Sequence, residues 1–419
     1  MLSAEELMNL ERITRDYYID AMSQKEIAQR VGKSQAHVAR ALKHARELGV
    51  IDFNIDRSFA IIGPERKGLA QTLRDRYKLK TCLVSQVDIT GPYDYKQDNY
   101  LHTAIGNYTG SKTSDSITVG QYIAVAGGRA VHRTVEMIRR TPPSIRDVKI
   151  SPLTGRLWAQ QWQLQGAGSL DQPVLDKPID ADDCASVLAH AFDAQPGTRF
   201  SQISYPLYAD SAQQAAKIIK EHCPFSPNGT WKWWGAPDRA FVGVGVVDPT
   251  GGHRMTDVGR QQPREMAPYL NQASRELSAM ISFVRDNGLH FFADVANRLY
   301  ATLPLPSEVV EADLARKASA HQKLTAKLQR LNNRSVVVTW RHIRQIPNVL
   351  AIAGGKLKHH AIWTLLIVGL LDPSKRIITD LSTDSATADV LITALADFEK
   401  VTPIVRRWYE MTASKIFEA

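Results

Sequence analysis

Cysteine is scarce: Cys82, Cys184 and Cys223 are the only three in 419 residues, odd in number and far apart. No Cys-x-x-Cys pair or Cys/His cluster is present, which argues against a disulfide framework and gives no reason to expect a metal site. It also points to a reducing compartment. Long apolar runs are lacking too. The longest, Ala361 to Leu371, falls well short of the ~20 residues that cross a bilayer. The opening stretch, MLSAEELMNLERITRDYY, is charged throughout and has no apolar segment of the secretory kind. These absences lead us to expect a cytoplasmic protein with no membrane partner, cofactor or metal.

What is present is an ordinary globular mixture, 44% apolar and 23% charged, with a length that fits two to three domains at ~100–200 residues each. The net charge of +9 permits a polyanionic partner without requiring one. Its distribution says more. Residues 1–57 hold nine bases and nine acids, yet Lys33, Arg40, Lys43 and Arg46 follow one another with two histidines and no acid between them. Such sorting is what a DNA-facing surface requires.

Leu7, Leu10, Ile13, Tyr17 and Tyr18 recur at helical spacing and predict a helix over residues 5–21. Ser23-Gln24-Lys25-Glu26 reads as a capping box that starts a second helix. Gly32 offers a turn residue that tolerates positive φ, and Ser34 can cap a third helix. Gly49 would end it, and Val50 to Ile55 alternates like the strand of a small wing. Two helices joined by a short glycine turn form a helix-turn-helix, whose second helix enters the major groove by its N-terminal end. The candidate DNA-binding residues are therefore Ser23 and Gln24 at the first cap, then Ser34, Gln35, Ala36, His37 and Arg40, with Lys43 and His44 facing phosphate. A plain three-helix bundle with a solvated basic face is the competing reading.

Beyond residue 57, strand-like runs alternate with helical ones, the pattern of an α/β domain with a mostly parallel sheet. Strands are expected at Thr81 to Val87, Ile123 to Ala126, Phe241 to Val247, Val349 to Ala353 and Ile377 to Asp380. Helices are expected at Arg66 to Tyr77, Val131 to Arg140, Lys358 to Leu370 and Ser385 to Leu395. Residues 88–118 read as loop, and Glu311 to Arg334 as a solvated or subunit-contacting helix. Two strands run into Gly-Gly pairs, Gly127-Gly128 and Gly354-Gly355, with Arg129 and Lys358 beside them. Ligands of such sheets bind beyond the carboxyl ends of the strands, where helix N-termini favour anions. Tight βα turns with no ligand would also use glycine. Trp231, Trp233 and Trp234 would wall a pocket or fill a core.

The stretches MSQKEIAQRVGKSQAHVARALKHARELGVIDFNI and IPNVLAIAGGKLKHHAIWTLLIVGLLDPSKRIITDLSTDSATADVL resemble the SorC/DeoR family of sugar-responsive bacterial regulators. ITVGQYIAVAGGRAVHRTVEMI, DRAFVGVGVVD and FFADVANRLY match in the family's order. The resemblance implies a sugar-phosphate-isomerase-like effector domain over residues 58–419, a reader over 1–57, and a homotetramer. It implies operator binding that a carbohydrate or sugar phosphate modulates. It assigns effector contact to Gly127, Gly128, Arg129, Ala130, Arg156, Gly243, Gly245, Asp294, Asn297 and Lys358. The chain departs from the family where Ala130 replaces a threonine, Ala293 a glycine, and Thr154-Gly155-Arg156 an Arg-Gly-Gly, so the effector it implies is atypical. A sugar-phosphate isomerase or deaminase with an appended reader, and an architectural DNA binder, are the alternatives.

Overall fold

In the computed structural model of the chain, which describes residues 4–18, 20, 22–47, 65–87, 95–142, 145–154, 180–203, 208–247, 268–290 and 292–418, Met1–Arg57 forms one unit and Ser58–Ala419 another. The first unit holds α1 (Ala4–Tyr18), α2 (Gln24–Val31) and α3 (Gln35–Glu47). The caps predicted from spacing are present. The Ser23 amide donates to Glu26 Oε2 at 2.8 Å, and the Glu26 amide to Ser23 Oγ at 3.3 Å. Gly32 ends α2 at φ 66° in the left-handed region. Ser34 Oγ accepts from the His37 amide at 3.2 Å at the start of α3. Ile13, Ile27, Ala28, Val38 and Leu42 close a small core between the three helices. Gly49 and the wing expected at 50–55 lie outside the described residues.

The second unit contains α4 (Lys67–Tyr77), α5 (Tyr95–Thr113), α6 (Arg129–Arg140), α7 (Ala181–Ala191), α8 (Ala212–His222), α9 (Thr230–Trp234), α10 (Pro268–Asp286), α11 (Leu314–Asn332), α12 (Trp340–Arg344), α13 (His359–Leu371), α14 (Ser385–Phe398) and α15 (Pro403–Ile416). Its strands are β1 (Thr81–Ser85), β2 (Tyr122–Val125), β3 (Lys149–Pro152), β4 (Arg239–Val247), β5 (Phe292–Val295), β6 (Arg298–Ala301), β7 (Asn348–Ile352) and β8 (Asp380–Asp384). Six of them run parallel in the order β1-β8-β7-β4-β2-β3. Helices cover both faces, so the central strands are buried throughout, as parallel strands usually are. Leu101, Ile105, Val131, Val135, Ile138 and Leu188 of α5, α6 and α7 fill one side. Leu73, Ile362, Leu366, Leu391 and Tyr409, from α4, α13, α14 and α15, are among those that fill the other.

Strand β4 is long because its first half pairs with β2 and β7 and its second half with β5. Arg239 to Gly243 pair with β7, while Val244 to Val247 pair antiparallel with β5, which continues into β6. The β5–β6 hairpin turns on Ala296 and Asn297, both at positive φ (50° and 59°), as the tightest hairpins demand. Leu277, Ile281 and Val284 of α10 pack with Leu324, Leu328 and Leu331 of α11 on this hairpin.

Three expectations need correction. Residues 88–118 include a 19-residue helix, α5. Gly106 and Gly110 lower its helix propensity, but they serve packing. A Cβ at Gly106 would sit 2.5 Å from Arg133 Cβ, and one at Gly110 2.6 Å from Met137 Cβ. Bare backbone there lets α5 lie close against α6. The helix 311–334 is not simply solvated, because its apolar stripe is consumed in the core just described. The strand expected at Ile377 to Asp380 begins instead at Asp380. Of its residues DLSTD, Asp380, Ser382 and Asp384 are polar yet buried and have internal partners: Ser382 Oγ meets Thr109 Oγ1 of α5 at 2.6 Å.

Candidate functional site

On the first unit, Ser34, Gln35, Ala36, His37, Arg40, Lys43 and His44 are exposed. Val38, Leu42 and Ala45 point inward, so from Gln35 to His44 α3 shows solvent a face with no acid. Arg40 Nε donates back to the Ala36 carbonyl at 3.3 Å. Ser23 is exposed and Gln24 partly buried at the start of α2.

On the second unit, the carboxyl ends of β2, β4, β7 and β8 gather most of the other candidates. After β2, Gly128 takes φ 122°, ψ 152°, and α6 begins at Arg129 with no side chain capping it. Gly243 lies beneath this turn: a Cβ there would stand 3.3 Å from the Gly127 carbonyl oxygen. Its missing side chain lets the turn fold across β4. Ala130 is buried, and its side chain joins the core beside α5. After β7, Gly355 takes φ 95°, ψ 152°. Its amide donates to Asp384 Oδ2 and Thr387 Oγ1, both at 2.9 Å. A Cβ on Gly354 would lie 2.1 Å from Asp384 Oδ2. Lys358 follows, with Nζ 2.8 Å from His102 Nε2 of α5.

Gly245 and Asp294 are cross-strand partners. A Cβ on Gly245 would stand 1.9 Å from Asp294 Oδ1, so glycine there makes room for the carboxylate. Asp294 Oδ2 accepts from the Asn297 amide at 3.1 Å, and Asn297 Nδ2 donates to Thr154 Oγ1 at 3.3 Å. Burial pushes the Asp294 carboxyl up to about 6, against the Asn297 amide and the charge of Lys358. A partly buried acid held close to neutrality, sensing a lysine, is characteristic of binding and catalytic sites. Arg156 lies outside the described residues.

Sequence reasoning missed His102, Asp384 and Thr387. His102 sits in the helix read as loop. Asp384 and Thr387 carried a usable signal, an Asp three residues before a Thr at the start of an apolar helix, which is a capping pattern. A separate recess of about 290 Å³, lined by Pro196, Gly197, Phe200, Ser201, Gln202 and Thr230, shares no residue with this site. The tryptophans divide their roles. Trp231 is buried, Trp234 meets Tyr122 edge to face at 5.2 Å, and Trp233 is 75% exposed.

No family model matches the chain. Its sequence is similar to the uncharacterized transcriptional regulator YjhU of Escherichia coli (strain K12), 27% identical over 146 residues, covering 34% of this chain and 42% of that protein. It is similar to the sorbitol operon regulator of Klebsiella pneumoniae, 26% identical over 155 residues, covering 37% and 46%. These two matches span less than half the length of either relative. A longer match, 24% identical over 366 residues, covers 87% of this chain and 88% of the transcriptional regulator LsrR of Klebsiella pneumoniae subsp. pneumoniae. The fold matches the crystal structure of the full-length sorbitol operon regulator SorC from Klebsiella pneumoniae, with TM-score 0.50 and 18% identity over 93% of this chain and all of that one. It also matches a transcriptional regulator from Streptococcus pneumoniae TIGR4, with TM-score 0.51 and 14% identity over 79% and 97%. The architecture, a helix-turn-helix joined to a mostly parallel α/β unit, is thus shared with solved regulators. In sequence and in fold the chain is thus similar to proteins named as transcriptional regulators, the sorbitol operon regulator among them.

Proposed function

We propose that the chain is a transcription regulator in which α3 reads the major groove of an operator while the α/β unit binds a small polar effector, a sugar, sugar phosphate or related carbohydrate. In this reading Gln35, Ala36, His37 and Arg40 meet base edges, and Ser23, Gln24, Ser34, Lys43 and His44 meet the DNA backbone. The amides after Gly128, with Arg129 and Lys358, take the anionic or electron-rich side of the effector, and Asp294 accepts from its hydroxyls. The assembly is a homo-oligomer, a tetramer by analogy with the resemblance above, and it works inside the cell.

The observation that carries the reading is the joining, in one chain, of a recognition helix whose exposed face from Gln35 to His44 holds no acid to a sheet whose carboxyl edge gathers two glycine turns, a lysine and a raised aspartate. The relatives' names as regulators, one of them of a sorbitol operon, support it.

To test it, fluorescence anisotropy follows the full chain on DNA from upstream of its own gene, at two salt concentrations, against a panel of sugars, polyols and their phosphates. We expect a preference over random DNA, a steep loss with salt, and a shift in affinity with at least one compound. Equal binding to random DNA overturns the reading. One observation favours an isomerase or deaminase instead: Asp294, near neutrality beside a lysine, has the chemistry of a general acid or base. Turnover of a pentose or hexose phosphate that Asp294→Asn abolishes would establish that alternative.

A further inference from the structure

His290, Glu308 and His360 come from three separate segments and converge on one point. His290 precedes β5, Glu308 closes the short turn Pro306–Glu308 that follows β6, and His360 lies in the first turn of α13. One ligand atom from each lies within 4.8 Å of the other two. His360 Nε2 stands 2.7 Å, and His290 Nε2 3.5 Å, from the same oxygen, Glu308 Oε2. The two imidazoles are stacked, with centroids 4.3 Å apart and planes 19° from parallel. The Leu305 amide donates to the same carboxylate oxygen at 2.9 Å and holds it in place.

As a hydrogen-bond cluster this arrangement is poorly used. Of the two imidazoles only that of His360 is within hydrogen-bonding distance of the carboxylate, and 3.5 Å is long for His290. One ion among the three would engage all of them. Two imidazoles and a carboxylate form a donor set that suits zinc and its first-row neighbours, while calcium and magnesium prefer oxygen alone.

We propose that His290, Glu308 and His360 bind one divalent transition-metal ion of the zinc class, with a further coordination position left for water or a ligand. The site would tie the start of α13, two residues past Lys358, to the segments flanking the β5–β6 hairpin that carries Asp294. It stands independently of the regulator reading.

The test uses the full chain, stripped with a chelator and titrated with Zn²⁺ by calorimetry, with thermal melts run in parallel. We expect one tight ion per chain and a higher Tm with Zn²⁺. His290→Asn and His360→Gln should each weaken binding about tenfold or more, and the double variant should lose both the binding and the Tm shift. His222→Ala, at an exposed histidine elsewhere, should change neither. Absence of tight Zn²⁺ binding by the unaltered chain overturns the proposal. So does a double variant, folded by circular dichroism, that binds Zn²⁺ as the unaltered chain does. Should the double variant not fold, Glu308→Gln, which keeps the shape and removes the charge, answers the same question by the same two readouts.

Discussion

The turns after β2 and β7 are spelled almost alike, Ala124-Val-Ala-Gly-Gly-Arg129 and Ala351-Ile-Ala-Gly-Gly-Lys356. Their second glycines take nearly the same backbone, with ψ 152° in both. Yet their surroundings differ. The β7 turn is anchored: the Gly355 amide is spent on Asp384 and Thr387, and the Gly354 Cα lies against the Asp384 carboxylate. Among the described residues the β2 turn shows no such side-chain clasp, its helix starts directly at Arg129, and a Cβ on Gly128 would meet nothing within 4 Å. One motif therefore does two jobs. The β7 turn fixes Lys358 on a rigid base, while the β2 turn is the one to which the proposed function assigns the effector.

The largest expected effect breaks the anchored turn. Gly354→Ala forces a methyl group into a buried, hydrogen-bonded carboxylate and should cost about 3 kcal/mol or more in urea unfolding. Gly128→Ala meets no neighbour and has only its positive φ to resist it, so about 1–2 kcal/mol is expected. Equal losses in the two variants would erase the distinction between the turns.

Asp294 sharpens the contrast from the other side of the site. Its folded pKa is raised to about 6, so between roughly pH 4 and 6 the folded chain binds more protons than the unfolded chain. Its contribution therefore destabilises progressively as pH rises through that window. Asp294→Asn should flatten this slope and stabilise the free protein at pH 7 by about 1 kcal/mol, while weakening the effector that the proposed function assigns. A variant with an unchanged pH slope would show that burial does not penalise this carboxylate. The smallest effects on stability belong to the cations. Arg129→Ala should change unfolding by about 0.5 kcal/mol, and Lys358→Ala by about 1 kcal/mol because it leaves the buried His102 without this partner, yet both should lower effector affinity in thermal-shift titrations. Unchanged affinity in both removes them from the site.

Local devices were legible in the sequence because they are written in short range. Ser23, Glu26, Gly32 and Ser34 each satisfy backbone groups within four residues, so spacing alone disclosed them. The strand–Gly–Gly–helix turns were readable for the same reason. What escaped depends on partners far away in the chain. The α5 segment carries no apolar stripe, because it is covered widely and its buried hydroxyls bond within the helix, as Thr113 does to the Thr109 carbonyl, or across to another element, as Thr109 does to Ser382. Strand β8 hides behind its polarity until Asp384 is seen accepting from Gly355. His102 and Lys358 are 256 positions apart, and no periodicity links them. The site was thus visible as a set of glycines and cations and hidden as a network.

The close seat of α5 on α6 has a mechanical consequence. The same helix that puts Gly106 against Ala130 and Arg133 also brings Ile105 up to Gly354 and His102 to Lys358. With backbone against backbone there is no compressible side chain to absorb a displacement. We therefore expect a displacement of the open turn to reach the anchored one through α5, much as a rod without backlash moves both of its ends together.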